Sequence, residues 1–177
     1  MTEYQAHLKQ GQSQLQIYEF LAGQLSEVVP EAHALHFLQM ATENIAKAVF
    51  RRSNPGWNKY THTAFSAIPH ALRSRHVASK LGWSDFNAYQ RFMRDIMPIC
   101  REIEELHPQV GASGTQEPPD EKPNVEYPWP GRDEEGNLIW HVPARYEFGL
   151  LVRMRRSLGV RLIQFLYILI DRFDNVF

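Results

Sequence analysis

The chain has one cysteine in 177 residues, which excludes an internal disulfide framework and fits a reducing compartment. A surplus of one charge sign is also missing. Nineteen Lys and Arg stand against 20 Asp and Glu, for a formal net charge of -1. The total therefore gives no reason to expect nucleic acid or an anionic membrane, although a local cluster can still bind either. Long hydrophobic runs are absent. The most apolar stretch, Leu158 to Ile170, is interrupted by Arg161 and Gln164. It falls short of the roughly 20 residues of a membrane span and reads as a buried helix. The opening MTEYQAHLKQGQSQ has no apolar signal core, so a cytoplasmic protein without membrane association is expected. No repeat of fixed period is visible. A Gly-rich phosphate loop, a Ser-His-Asp arrangement, a nucleotidyltransferase aspartate pair, an HExxH motif and paired Cys-His spacing are all missing. No cofactor and no metal is expected.

The sequence is rich in helical stripes. Its organising stretch is Ala34 to Arg52, ALHFLQMATENIAKAVFRR. Leu35, Leu38, Ala41, Thr42, Ile45, Ala48 and Val49 follow the three/four spacing of one helix face. Small residues at 41, 46 and 48 let a neighbouring helix come close. Glu43 and Lys47 lie four apart in the favourable order for a helix ion pair. Before it, a first helix starts at Thr2 or Ser13 and reaches Leu25, with Gly11 as a weak point and Pro30 as the break. After it, Asn54-Pro55-Gly56 is a turn signal. A third helix follows Thr63 or Ser66 and stops at Gly82. Ser84 caps a fourth, whose stripe is Phe86, Tyr89, Met93, Ile96, Cys100 and Ile103. Pro98 should kink it, and His107-Pro108 ends it. Cys100 on that stripe reads as buried packing.

From Pro108 to about Val142 the composition turns to Pro, Gly and acids. Its first part is too polar to pack. Its second part, NVEYPWPGRDEEGNLIWHVP, carries Tyr127, Trp129, Leu138, Ile139 and Trp140. The DEEGN turn between short arms suggests a β-hairpin folded back on the helices. The last helix runs from Pro143 or Ala144 to about Phe173. The expected fold is all-α: an antiparallel four- to five-helix up-and-down bundle. Residues 1–177 form one domain, with an insertion at about 108–142 before the last helix.

Three groups of side chains invite a functional reading. Arg51, Arg52 and Lys59 surround Trp57 and Tyr60, with His62 close by. Positive charge beside aromatics is the general formula for holding phosphate and stacking a base. A second basic stretch is Arg73, Arg75, His76 and Lys80. The arginines at 153, 155, 156 and 161 form a third, suited to pair with the acidic 117–135 segment. His33 and His36 lie three apart on a helix, which allows one shared face. The structural readings of all these groups are solvated helix charge, loop packing and helix capping.

Four pieces taken in order resemble the HEPN domain family. They are FLQMATENIAKAVF with Glu43 and Lys47, Tyr60-Thr61-His62 before the next helix, IEELHP from Ile103 to Pro108, and NVEYPWP with HVPARYEF. The resemblance spans about residues 34 to 150. It implies an antiparallel helical bundle that forms a homodimer. It also implies one of three roles: a metal-independent RNase of toxin or defence systems, the companion of a small nucleotidyltransferase, or a non-catalytic nucleotide-binding or scaffold module. In the RNase members an Arg and a His four to six residues apart act on the RNA 2′-OH and its phosphate. Here only Arg101 and His107, an Arg followed by a His with five residues between, fit that spacing. They lie on the fourth helix, whereas the last helix has Arg145 and no histidine after it. The expected activity is therefore a nucleotide- or RNA-associated module without catalysis. A metal-independent endoribonuclease using Arg101 and His107 is one alternative, and a protein-protein interaction scaffold is another. The scaffold would expose Tyr127, Trp129 and Trp140.

Overall fold

The computed structural model describes residues 1–25, 29–54, 56–57, 64–107, 123–126 and 128–177. Helices account for most of them: α1 (Glu3–Gly23), α2 (Glu31–Ser53), α3 (Ile68–Ala71), α4 (Arg75–Lys80) and α5 (Phe86–Glu104). Strands β1 (Trp129–Arg132) and β2 (Leu138–His141) follow, then α6 (Leu150–Met154), α7 (Ser157–Asp171) and α8 (Phe173–Val176). Short 3-10 turns occupy Phe65–Ala67 and Pro143–Arg145. Among the described residues no helix is long and apolar enough to cross a membrane.

The apolar stripe of α2 is its buried face. Leu35, Leu38, Ala41, Ile45, Ala46 and Ala48 are fully shielded from solvent. α1 lies against that helix, and Gly11 is where the two backbones meet. A Cβ there would sit 2.9 Å from Ile45 Cγ1 and 3.0 Å from the Ala41 carbonyl oxygen. Gly11 is thus buried inside a continuous helix, not a weak point, because its missing side chain permits the close approach. Polar side chains fix the register alongside it. Asn44 Nδ2 donates to Gln14 Oε1 at 2.9 Å, and Asn44 Oδ1 lies 2.8 Å from His7 Nδ1.

The third helix is two pieces. Ser74 interrupts it, and its Oγ accepts from the Val77 N–H at 3.1 Å, capping α4 afresh. The cap of α5 is Asp85, one residue later than expected. Its Oδ1 accepts from Asn87 N at 2.8 Å and Ala88 N at 3.1 Å. A carboxylate outcompetes the neighbouring serine because its charge also meets the positive end of the helix. α5 passes through Pro98 to Glu104 and ends before His107. The last helix is likewise divided. Gly149, at φ 67, opens α6, and a break at Arg155 and Arg156 separates α6 from α7. Tyr146 consequently lies outside any helix.

The hairpin is present, with Trp129 opposite His141 and Arg132 opposite Leu138. Asp133 holds its turn. Its Oδ1 accepts from Asn137 N at 2.8 Å and Glu135 N at 3.0 Å. The Asn137 bonds, followed by those of Glu135 and Gly136, keep the Asp133 carboxyl below the usual carboxylate range. Trp129 is buried, stacked on His141 at 5.4 Å and meeting Tyr146 edge-on at 5.2 Å.

Three tyrosines tie helices together and make stability depend on alkaline pH. Burial pushes the Tyr18 hydroxyl up to about 12, with Glu19 adding and Arg155 subtracting. Burial also raises Tyr89, whose hydroxyl donates to the Leu72 carbonyl at 2.8 Å. Tyr167, raised by burial and then by Glu19, donates to Glu19 Oε2 at 2.5 Å. In the unfolded chain these groups lose their protons near pH 10. Their contribution is therefore complete below about pH 10 and is lost as pH rises through about 12 for Tyr18 and at still higher pH for Tyr89 and Tyr167. Urea midpoints measured across that range should fall steadily, and more steeply in wild type than in Tyr89→Phe.

Candidate functional site

The C-terminal end of α2 gathers cations and aromatic rings. Helix geometry puts Arg51 and Arg52 in the last turn of α2. Asn54 then turns the chain, its Oδ1 accepting from Gly56 N at 3.1 Å and its carbonyl from Trp57 N at 2.9 Å. This folds Trp57 back onto Phe50, with ring centroids 5.6 Å apart and planes at 24°. The Arg51 guanidinium lies 5.4 Å from the Trp57 ring centroid, and one of its nitrogens is 3.2 Å from Glu3 Oε1. Arg52 sits 5.4 Å from the ring of Tyr4, at the start of α1. Tyr4 is braced from behind by Phe173, stacked at 5.7 Å. Thr2, Glu3, Tyr4, Arg51 and Arg52 line an open cleft of about 250 Å³.

These contacts divide the labour. Arg51 is largely buried, held by a ring and a carboxylate, so it shapes the site. Arg52 is exposed and can reach a phosphate while its plane rests on Tyr4, as guanidinium groups do. The start of α1 brings the positive end of a helix to the same cleft. Arg51 thus meets Trp57, whereas Arg52, its neighbour on the helix, lies on Tyr4. Tyr4 was missed in the sequence, since only the fold brings the first helical turn beside residue 52. Lys59, Tyr60 and His62 lie outside the described residues, as do Thr63, Tyr127 and residues 108–122.

Arg101 and His107 lie elsewhere. Arg101 is exposed on α5, with Nη2 3.8 Å from Met97 Sδ. His107 is half-buried past the helix end, its N–H donating to the Glu104 carbonyl at 3.3 Å. Its neighbour Leu106 accepts from Val125 N at 3.1 Å. Val125 in turn lines a cleft of about 430 Å³ with His33, His36, Glu126, Val142, Pro143 and Ala144. This end of α5 therefore lies near the first turns of α2, with His36 roughly 24 Å along that helix from Arg52 at 1.5 Å per residue. The shared face of His33 and His36 is the cleft wall, and the solvent-shielded Nδ1 of His36 has no hydrogen-bond partner among the described residues. Among the described residues no three His, Cys, Asp or Glu side chains are grouped to hold a metal ion.

The other sequence candidates are structural. Glu43, 5% exposed, pairs with Lys47 and accepts from Gln39 Nε2 at 3.0 Å, which makes the ion pair a buried one. Among the described residues the C-terminal arginines take other partners, and residues 117–122 of the acidic segment lie outside the described residues. Arg153 pairs with Glu102 at 2.7 Å, Arg155 donates to the Ala22 carbonyl at 2.7 Å, and Arg161 lies 4.9 Å from the Phe92 ring. Arg75 of the second basic stretch packs 4.7 Å from the Phe86 ring. Burial lifts the Cys100 thiol far above its ordinary range, with Glu104 adding to the effect, so the thiol is inert packing. Comparison with known proteins gives no match: no family model, no curated protein and no solved structure matches the chain.

Proposed function

We propose that the chain is a HEPN-like helical bundle acting as a nucleotide- or RNA-associated module without catalysis, with its ligand held at the C-terminal end of α2. The observation that carries this reading is the cleft that Arg51 and Arg52 line with Tyr4, Arg52 lying on the Tyr4 ring and Arg51 held by Trp57. Exposed Arg52 supplies phosphate attraction, and Tyr4, held between Phe173 and Arg52, borders the same cleft. The expected affinity is modest and salt-dependent, because few cations contact the backbone.

Fluorescence anisotropy of a labelled single-stranded RNA tests it, read at low and moderate salt with EDTA present. Arg52→Glu should weaken binding by about tenfold or more, while Arg101→Ala and His107→Ala should leave it unchanged. Equal binding by Arg52→Glu and wild type removes this site. RNA shortened by wild type but not by His107→Ala would establish the endoribonuclease alternative. The scaffold alternative has its own observation. Leu138 and Trp140 are 62% and 59% exposed, although Trp129, expected beside them, is buried.

A further inference from the structure

The start of α5 carries a row of aromatic rings with an arginine at each end. Phe86, Tyr89 and Phe92 follow at three-residue steps, so they share a face of the helix. Gly82, at φ 86, turns the chain just before them and brings Trp83 onto that face. Phe86 stacks on Tyr89 at 6.5 Å, Tyr89 meets Trp83 edge-on at 5.4 Å, and Trp83 stacks on Phe92 at 5.4 Å. The Arg75 guanidinium lies 4.7 Å from the Phe86 ring, and that of Arg161 lies 4.9 Å from the Phe92 ring. Tyr89 and Phe92 are buried, Trp83 and Phe86 are half-buried, and both arginines are exposed. Beside Trp83 and Phe92 the surface dips. Arg161, Gln164, Phe165 and Ile168 of α7 form the other side of a depression of about 90 Å³.

A ring contact covers the face of a guanidinium and leaves its in-plane N–H donors outward. Among the described residues neither Arg75 nor Arg161 has a hydrogen bond or a carboxylate partner. No acidic side chain lines the depression. Asp85, next to Phe86 in sequence, caps α5 and faces Arg91 at 3.9 Å. We propose that this groove docks an acidic segment of a partner protein. One aliphatic side chain of the segment fills the depression beside Trp83, and its carboxylates take the outward N–H donors of Arg161 and Arg75. Charge complementarity selects the acidic partner, because a guanidinium edge matches a carboxylate bidentately. The shape selects a peptide over nucleic acid. The depression is the size of one aliphatic side chain, and the Phe92 ring, covered by Trp83 and Arg161, offers no face for a base to stack on. A half-buried Trp between two arginines is also the composition of a protein-binding hot spot. The docking does not depend on the RNA reading, since Arg52 is not part of this groove.

Selection from a displayed library of random nonapeptides on the immobilised full chain tests the docking. Wild type should enrich sequences in which an aliphatic residue is flanked by aspartate or glutamate. A fluorescein-labelled peptide of that consensus should bind Arg161→Glu and Arg75→Glu about tenfold more weakly, and Arg52→Glu as tightly as wild type. The same peptide with lysine in place of its acids should bind the double variant Arg75→Glu/Arg161→Glu more tightly than it binds wild type, a gain that a misfolded variant would not show. No enrichment of acidic peptides overturns the proposal. So does equal binding of the consensus peptide by Arg161→Glu and wild type. If no acidic peptide is enriched and Arg161→Glu weakens binding of single-stranded RNA, the groove belongs to nucleic acid and the proposal falls.

Discussion

Gly159→Ala should lower stability by roughly 3 kcal/mol or more, the largest effect expected of any single added methyl in this chain. A Cβ at Gly159 would lie 2.6 Å from the Met154 carbonyl carbon and closer still to its Cα and carbonyl oxygen. These are backbone atoms and cannot rotate aside. Gly159 is in the first turn of α7 and Met154 is the last residue of α6, so the contact is the corner between the two helices. Both residues are buried. Relief requires the corner to open, which would pull Leu150, Leu151 and Met154 out of the core. Helix propensity alone favours alanine over glycine by about 1 kcal/mol, which runs the other way. The sign of the measured change therefore separates a packing corner from an ordinary helical glycine. Urea unfolding of both proteins reads it directly.

Ile45→Ala should cost about 2–5 kcal/mol, and Ile45→Val only about 1 kcal/mol. Ile45 is fully buried in α2, and its Cγ1 is the atom closest to where a Gly11 Cβ would stand. Truncation empties the seam between α1 and α2. The neighbours there are helix backbone and the Asn44 hydrogen bonds, which resist collapse into the space. A small cost for the alanine variant would mean that the seam is loosely packed and that α2 is not the organising element.

The organising helix was legible because α2 is long and strongly periodic. About four turns of apolar residues at three/four spacing leave one face to bury, and Leu35 through Val49 bury it. The hairpin was legible from the DEEGN turn between Trp129 and Trp140. The breaks near Ser74 and Arg156 were not, because each depends on what the chain meets in space. The stripe of the last helix continues from Leu150 through Leu158 whether or not Gly159 packs on Met154. Ser74 carries a local cap signal, but Leu72, Val77 and Leu81 preserve the impression of one helix across it. Site residues divide the same way. Arg51, Arg52 and Trp57 are neighbours in sequence and can be read together. Tyr4 joins them only when α1 lies along α2. The His33 and His36 pair shares a face by spacing, yet its opposite wall comes from residues 125–126 and 142–144. The contacts of Arg153 with Glu102 and of Arg155 with the Ala22 carbonyl join residues far apart in sequence, so only the fold reveals them.

The central claim is that an RNA or nucleotide ligand lies at the C-terminal end of α2. Ultraviolet cross-linking of the full chain to a short single-stranded RNA, with the attached peptides mapped by mass spectrometry, tests it most directly. Cross-links form on side chains that border the bound RNA, so adducts should fall on Tyr4 and its neighbours in the cleft and disappear in Arg52→Glu. Adducts confined to Trp140 or to the His107 end of α5, or unchanged in Arg52→Glu, would contradict the claim.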